Sequence, residues 1–514
     1  MTQITEVPPQ TPLAHYDPDD QYDQILVRNT HPPEWKNPQP QGRYNLVVIG
    51  AGTAGLVSAA GAAMLGGRVA LIERSLMGGD CLNFGCVPSK ALIAAARAAH
   101  AVREASGFGI RSSHAVDVQL KDVMQRVRQI RAGISEHDSA KRFAKLGADI
   151  FFGQAKFLSP SSLEVAGTRL EFSKAIIASG ARAAELDVPG LKDAGYLTNE
   201  TVFSIAEMPA RLIVIGAGPI GCELGQAFRR LGSEVTVLTT GAGLLPKDDP
   251  RAAQVVQTQF EREGILLFFG AKILRAEKTS LGKVVVFDRG KGEESVAADE
   301  ILVAVGRAPN VEGLDLEAAG IQYDKKGVLV NDRLRTSNRR VFAAGDVASR
   351  YQFTHAAEAL ARIALQNALF LGRRKASSLL IPWATFTDPE VAHVGLEHRE
   401  AIRAGLQVKT ITLPFADNDR AATDSDSAGF ARVYVNAGDG RLLGATIVGS
   451  HAGDMIGELV LAIQKRMKVT ELSGVIHPYP TKAEIIKRLG DESMRSRLKP
   501  WIKRVLASFL AWTR

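Results

Sequence analysis

Cys81 and Cys86 are the residues whose type and spacing most directly promise chemistry. They stand in Gly78-Gly79-Asp80-Cys81-Leu82-Asn83-Phe84-Gly85-Cys86-Val87-Pro88-Ser89-Lys90. The only other cysteine is Cys222, so no disulfide scaffold accounts for the pair. Two cysteines this close can cycle between dithiol and disulfide. In a regular helix such residues have Cα atoms roughly 8–9 Å apart, beyond the 4.4–6.8 Å of a disulfide. The segment must therefore turn, which Asn83 and Gly85 permit. Pro88 suits the first turn of a helix continuing through Ser89-Lys90-Ala91-Leu92-Ile93. Cys86 then falls near a helix N-terminus, where the dipole and Lys90 favour thiolate. Two buried thiols or half a metal site are the alternatives. No second Cys/His pair stands at ligand spacing, so zinc is not expected and no metal ligands are assigned.

The elements that must position this pair repeat within the chain. Asn45-Leu46-Val47-Val48-Ile49 has a buried-strand pattern and runs into Gly50-Ala51-Gly52-Thr53-Ala54-Gly55, an alanine-rich helix and Arg68-Val69-Ala70-Leu71-Ile72-Glu73. The same unit recurs 166 residues on, with Gly216, Gly218 and Gly221 in place of Gly50, Gly52 and Gly55, and a strand ending at Thr239. Each is a strand–turn–helix–strand unit with G-x-G-x-x-G on the turn, the signature of dinucleotide binding. The first glycine allows the tight turn, the second lets a pyrophosphate approach, and the third lets helix pack on strand. The anion would sit at the helix N-terminus. Glu73 is placed for a ribose hydroxyl pair. Thr239 stands where the second unit would carry its acid, and that absence leans the second site toward NADPH over NADH. Lys247 and Arg229 are the cations that could come near a 2′-phosphate.

Length and composition set limits. A chain of 514 residues exceeds one core, so about two or three domains are expected. Aromatic residues make up 6%, which argues against a base-stacking nucleic-acid module. The net charge of +8 reads as a solvated surface with a basic C-terminus. Residues 1–43, rich in Pro, Asp and Gln, read as a flexible N-terminal arm without the apolar stretch of a secretory signal. With no export signal and few cysteines, the cytoplasm is the expected compartment. From Pro382 the pattern changes to alternating strands and helices of an α+β domain. The tail, residues 491–514, is a basic amphipathic helix. Docking on the body or on a dimer partner is expected for it over membrane contact.

These motifs together resemble the FAD-dependent pyridine nucleotide–disulfide oxidoreductases. The resemblance covers about Tyr44 to Leu489 and rests on Gly50–Gly55, Cys81–Lys90, Gly216–Gly221, Gly306-Arg307-Ala308-Pro309-Asn310 and Gly345-Asp346. It implies an α/β fold with two Rossmann-like domains, for FAD (residues 44–190 and 312–378) and NAD(P) (191–311), and a C-terminal α+β dimerisation domain (379–490) making a homodimer. It also implies that Cys86 faces the flavin and Cys81 meets the substrate. Lys90 and Glu223 would pair near the flavin ring. Asp346 would hold the ribityl–phosphate region, with His355 on the helix beside it. Gly180, Gly306 and Arg307 would border the dinucleotides, and Cys222 would be a small core residue.

The pattern departs from the family at its C-terminal end. Disulfide-reducing relatives carry His-Pro-Thr-x-x-Glu, whose His is the general base for the thiols across the dimer. Here His477-Pro478-Tyr479-Pro480-Thr481-Lys482-Ala483-Glu484 puts Tyr479 in the base position before Glu484. A phenol of pKa about 10 is a poor base at neutral pH, though it can donate to a sulfur or ligate a soft metal weakly. His477 serves a surface or packing role equally well. This arrangement is similar to that of mercuric reductases, although no N-terminal Cys-x-x-Cys domain or C-terminal cysteine pair is present. The expected function is electron transfer from NAD(P)H through FAD and the Cys81–Cys86 disulfide to a soft metal ion, Hg(II) or Cu(II), or another small electrophile. A dihydrolipoyl dehydrogenase and a non-enzymatic flavoprotein redox sensor are the alternatives.

Overall fold

The structure is a computed structural model that describes residues 16–111, 116–280, 282–370, 372–498 and 500–514. The chain divides into two compact units. One comprises Met1–Gly216, Ala227–Thr240 and Gly270–Leu379, the other Ala217–Gln226, Gly241–Phe269 and Leu380–Arg514.

The first unit begins with a structured strap where the sequence predicts a flexible arm. Helix α1 (Gln21–Thr30) is capped by Asp20, whose side chain accepts from the amides of Tyr22 and Asp23. Its inner face is held by a buried Asp23–Arg131 ion pair at 2.6 Å and by fully buried Leu26. Trp35 Nε1 donates to the Ile150 carbonyl at 3.1 Å, anchoring the chain beyond the helix. A polar composition concealed this because the strap is fastened largely by polar groups. Residues 1–15 of the expected arm lie outside the described residues.

The first βαβ unit is strand β1 (Tyr44–Ile49), helix α2 (Thr53–Met64) and strand β2 (Val69–Glu73). Short helix α3 (Gly79–Asn83) and longer helices α4 (Cys86–Glu104) and α5 (Leu120–Ser135) follow, then strands β3 (Ala148–Phe152) and β4 (Thr168–Ile177). β1 lies between β2 and β4, parallel to both, and β2 pairs in parallel with β3. Leu46 and Val48 of β1 belong to one buried cluster, Val47 and Ile49 to the other. Burial on both faces is why the strand reads as an unbroken apolar run.

The second βαβ unit is strand β5 (Arg211–Ile215), helix α6 (Pro219–Leu231) and strand β6 (Glu234–Thr239), with helix α7 (Pro250–Arg262) and strand β7 (Glu300–Val303) beyond. β5 pairs in parallel with β6 and β7. The chain then returns to the first sheet, where strand β8 (Val341–Ala343) pairs in parallel with β4, and helix α8 (Thr354–Leu369) begins. α8 packs on α2, where a Cβ on Gly61 would stand 2.6 Å from Leu365.

The second unit is built on an antiparallel sheet of strands β9 (Trp383–Thr385), β10 (Glu390–Gly395), β11 (Val408–Pro414), β12 (Phe430–Asn436) and β13 (Leu442–Gly449), in the order β9-β10-β13-β12-β11. Helices α9 (Ala452–Gln464) and α10 (Glu484–Arg495) contribute to its core. Segments 217–226 and 241–269 cluster with this unit. The reason is polar. Glu223 Oε1 accepts from the Phe386 amide, Asp248 from Trp383 Nε1, and Asp249 from Arg432 and Tyr434. Helix α11 (Pro500–Trp512) buries none of its residues, so its apolar stripe is not docked on the described chain. No helix among the described residues is long and apolar enough to cross a membrane.

Candidate active site

Cys81 lies within α3 and Cys86 opens α4, with Phe84 and Gly85 breaking the helix between them. The amide of Gly85 donates back to the Asp80 carbonyl at 2.6 Å. A Cβ at Gly85 would stand 2.8 Å from Asp80 Oδ2 and 3.0 Å from that carbonyl, so glycine is required for the return. The turn brings the two unbridged thiols into hydrogen-bond contact.

That contact separates their acidities. The Cys81 hydrogen bond, then the Thr354 hydroxyl and the Lys90 charge, lower Cys86 to about 6 against burial and the Asp80 charge. The same hydrogen bond, with burial and the Cys86 charge, raises Cys81 well above the usual thiol range. One thiolate and one thiol result, with the thiolate at the positive end of α4. Thr354, the first residue of α8, places Oγ1 3.3 Å from Cys86 Sγ. Cys222 is fully buried and is raised by that burial.

Around the dithiol, the first unit offers a cradle that fits a dinucleotide such as FAD. Gly50 needs glycine for internal reasons, with φ +100° and a hypothetical Cβ 2.4 Å from the Ala178 carbonyl oxygen. A Cβ at Gly55 would fall 1.7 Å from the Gly50 carbonyl oxygen. Gly52 is different. Its φ is −77°, and a Cβ would meet only Gly79 Cα at 3.6 Å, an ordinary contact. Neither strain nor protein packing calls for glycine there, which leaves the space above the α2 N-terminus open to an anion. Glu73, at the end of β2, accepts from the amides of Ala51 (2.7 Å) and Ser75 (2.8 Å), tying the glycine turn to its strand.

Arg307 is half-buried between two acids, with Nη1 3.3 Å from Asp80 Oδ2 and Nε 3.6 Å from Asp346 Oδ2, while Nη2 donates to the Ala181 carbonyl at 2.9 Å. Beyond that ion pair, its buried Nε makes no hydrogen bond among the described residues. Burial raises Asp346 to about 6, helped by the Asp80 and Cys86 charges and opposed by Arg307. Asn199 Nδ2 donates to Asp80 Oδ1 at 3.3 Å. His355 is the second residue of α8; its exposed ring stacks on Phe353, and Phe353, not His355, caps the helix. Lys90 Nζ lies 3.4 Å from Ser89 Oγ.

In the second glycine turn, Gly216 has φ +115° and a hypothetical Cβ 2.4 Å from the Ala304 carbonyl oxygen. A Cβ at Gly218 would meet nothing within 4 Å among the described residues, and Gly221 is buried within α6. Thr239 ends β6 half-buried, its carbonyl accepting from Ala271 at 2.9 Å. Gly306 (φ +129°) precedes Arg307, and Gly180 (φ +70°) ends the loop after β4, its carbonyl accepting from Asn310.

In the second unit, Glu223 is buried. Tyr479 is 71% exposed, and its hydroxyl donates to Asp419 Oδ2 at 2.9 Å. That bond, with the Asp419 and Glu484 charges, raises the phenol, making it a hydrogen-bond donor and not a base. Glu484 opens α10. His477 is turned into the unit, its Nε2 3.0 Å from Glu458 Oε2. Sequence reading missed Thr354, Asp80 and Arg131. Asp80 adjoins Cys81 and could have been found by that adjacency; the other two are joined to the site only by the fold.

Comparison with known proteins agrees with this geometry. The family model described as pyridine nucleotide-disulphide oxidoreductase matches residues 44–361, and its dimerisation domain matches residues 381–489. The chain is 35% identical over 450 residues to a mercuric reductase of Staphylococcus aureus, covering 87% of this chain and 82% of that one. It is also 35% identical over 453 residues to a dihydrolipoyl dehydrogenase of Thermus scotoductus, covering 86% and 95%. Among solved structures, the HOCl-induced flavoprotein disulfide reductase RclA from Escherichia coli superposes with a TM-score of 0.78 at 27% identity, covering 87% of this chain and 99% of that one. The chain belongs to the class I FAD-dependent pyridine nucleotide–disulfide oxidoreductases, a family that uses FAD and NAD(P)H. Within it, the chain is mercuric-reductase-like and carries the family's dimerisation domain.

Proposed function

We propose that this enzyme is an NAD(P)H-dependent flavin reductase whose Cys81–Cys86 dithiol delivers an electron pair to a soft metal ion, Hg(II) or Cu(II), or to another small electrophile. The observation that carries the reading is the glycine turn that sets Cys81 of α3 beside Cys86 at the N-terminus of α4, with the Thr354 hydroxyl 3.3 Å from the Cys86 sulfur, an arrangement that favours thiolate at Cys86. At neutral pH this supplies a standing thiolate without an external base. Gly50, Gly52, Glu73, Arg307 and Asp346 are the residues that would hold FAD. When bound, FAD accepts hydride from nicotinamide and exchanges electron pairs with thiols.

Thiolates are the ligands a soft cation prefers. For Hg(II), the Cys86 thiolate and the Cys81 thiol together yield two electrons and one proton as their S–S bond forms and the ion becomes Hg(0). Cu(II) takes one electron per ion, so two are reduced to Cu(I). The Cu(II) complex recorded for RclA is consistent with a copper acceptor. Tyr479, held as a donor by Asp419, suits steering a ligand or sulfur more than removing a proton. NADPH is the proposed reductant because Thr239 supplies no carboxylate at the end of β6.

Steady-state NADPH oxidation with Hg(II)–thiol complexes, Cu(II) and lipoamide tests the proposal. Turnover with a soft metal that Cys86→Ser abolishes supports it; undiminished turnover in that variant removes the dithiol from the reaction. The likeness to the Thermus scotoductus enzyme favours a second reading, dihydrolipoyl dehydrogenase. Against it stand Tyr479 in the base position and the missing acid at Thr239. Rapid NAD reduction by dihydrolipoamide would decide for it.

A further inference from the structure

The turn between the cysteines is gripped by residues that precede the family-matched region. α3, which carries Cys81, is held at both ends. Before its start, the Met77 amide donates at 3.1 Å to the carbonyl of Thr30, the last residue of α1. At its end, Asn83 Nδ2 donates to the carbonyls of Met77 (3.2 Å) and Gly79 (2.8 Å). The Asn83 backbone carbonyl accepts from Arg131 Nη1 at 3.1 Å, and its Oδ1 lies 3.5 Å from the Tyr16 hydroxyl.

Arg131 is in turn fixed by the strap. Its Nη2 lies 2.6 Å from Asp23 Oδ1, with side chains only 5% and 4% exposed, and its guanidinium sits 5.1 Å from the centroid of the Tyr16 ring. Leu82, next to Cys81, is buried with Tyr16, Leu26 and Leu76, and Phe84 and Val87 pack against that cluster. A buried ion pair is a weak source of net stability. Its planar fork, however, locates the Asn83 carbonyl in direction as well as distance.

We infer that residues 16–31, with Arg131, are a positioning element for the Cys81 thiol, holding α3 so that Cys81 stays in hydrogen-bond contact with Cys86. The inference deepens the proposed function, since it takes this pair as the working dithiol. Tyr16, Asp23 and Arg131 act through the α3 backbone and Asn83. A chain beginning at residue 44 would keep the region matched by the family and lose this clamp.

The test is the pH profile of Cys86 alkylation by iodoacetamide, read by peptide mass in the full-length, flavin-loaded protein. Wild type should show a midpoint near 6. Cys81→Ala removes the donor outright and should move the midpoint toward about 8.5, setting the full scale. Deletion of residues 1–31, and separately Asp23→Leu with Arg131→Met, should move it the same way with FAD content unchanged. The double substitution strands no buried charge, so it covers the case in which the truncated chain fails to fold. Wild-type midpoints in folded, flavin-loaded variants would overturn the inference. Alkylation requires no turnover, so failure to reduce any acceptor defeats the proposed function while leaving this comparison intact.

Discussion

The hydroxyl of Thr354 lies 3.3 Å from the sulfur of Cys86, joining the start of α8 to the start of α4 across 268 residues of sequence. Thr354→Val removes this hydrogen bond but keeps the shape. The Cys86 alkylation midpoint should rise from about 6, by less than Cys81→Ala raises it, because the Cys81 hydrogen bond is the larger influence. Thr354→Ser should behave as wild type. An unmoved midpoint in Thr354→Val would remove the hydroxyl from the account.

Cys86 and Asp346 make opposite contributions to stability with pH. Cys86 is lowered from 9.0 to about 6, so the folded chain releases its proton first and the fold gains stability as pH rises from 6 toward 9. Asp346 is raised from 3.8 to about 6, so the folded chain keeps its proton longer and stability falls as pH rises through that interval. In flavin-free protein, Asp346→Asn should raise the melting temperature at pH 7 relative to wild type and leave it unchanged near pH 4. Cys86→Ala should flatten the rise between pH 6 and 9. Thermal melts across pH read both.

Arg131→Ala leaves the Asp23 carboxylate buried without its cation. The expected loss is about 3–5 kcal/mol in urea unfolding. Replacing both with apolar residues should cost far less. Equal losses in the single and double variants would show that the pair's charge is not what the fold depends on.

Tyr479 is a donor to Asp419, whereas disulfide-reducing relatives place a histidine base at the corresponding position. Tyr479→His should therefore gain oxidation of dihydrolipoamide, since a positioned base contributes about 10²–10⁴-fold in such reactions. Tyr479→Phe should lower acceptor reduction while leaving reduction of the flavin by NADPH intact. Stopped-flow separation of the two half-reactions distinguishes these outcomes.

Much of the fold was legible because its signals are local. The apolar runs before Gly50 and Gly216, the glycine spacing and the cysteine segment each specify a strand, a turn or a helix start by short-range rules. Gly85 was read as permitting a turn, and the close approach of Asp80 shows why it must be glycine. What escaped was long-range and polar. Nothing near Thr354 in sequence points to Cys86, and the Arg307 bridge between Asp80 and Asp346 exists only once three segments far apart in sequence are folded together. The strap escapes a local reading because Asp23, a helix-surface residue by composition, is buried against Arg131, 108 residues away.

The most direct test of the account is anaerobic titration of the purified, flavin-loaded protein with NADPH, followed by absorbance and repeated with Cys86→Ser. The account predicts a long-wavelength band from the Cys86 thiolate against oxidised flavin in wild type, fading as pH falls through about 6, and no such band in the variant. A wild-type protein that bleaches directly without the band, or a variant that retains it, would contradict the claim that Cys86 is the flavin-facing thiolate.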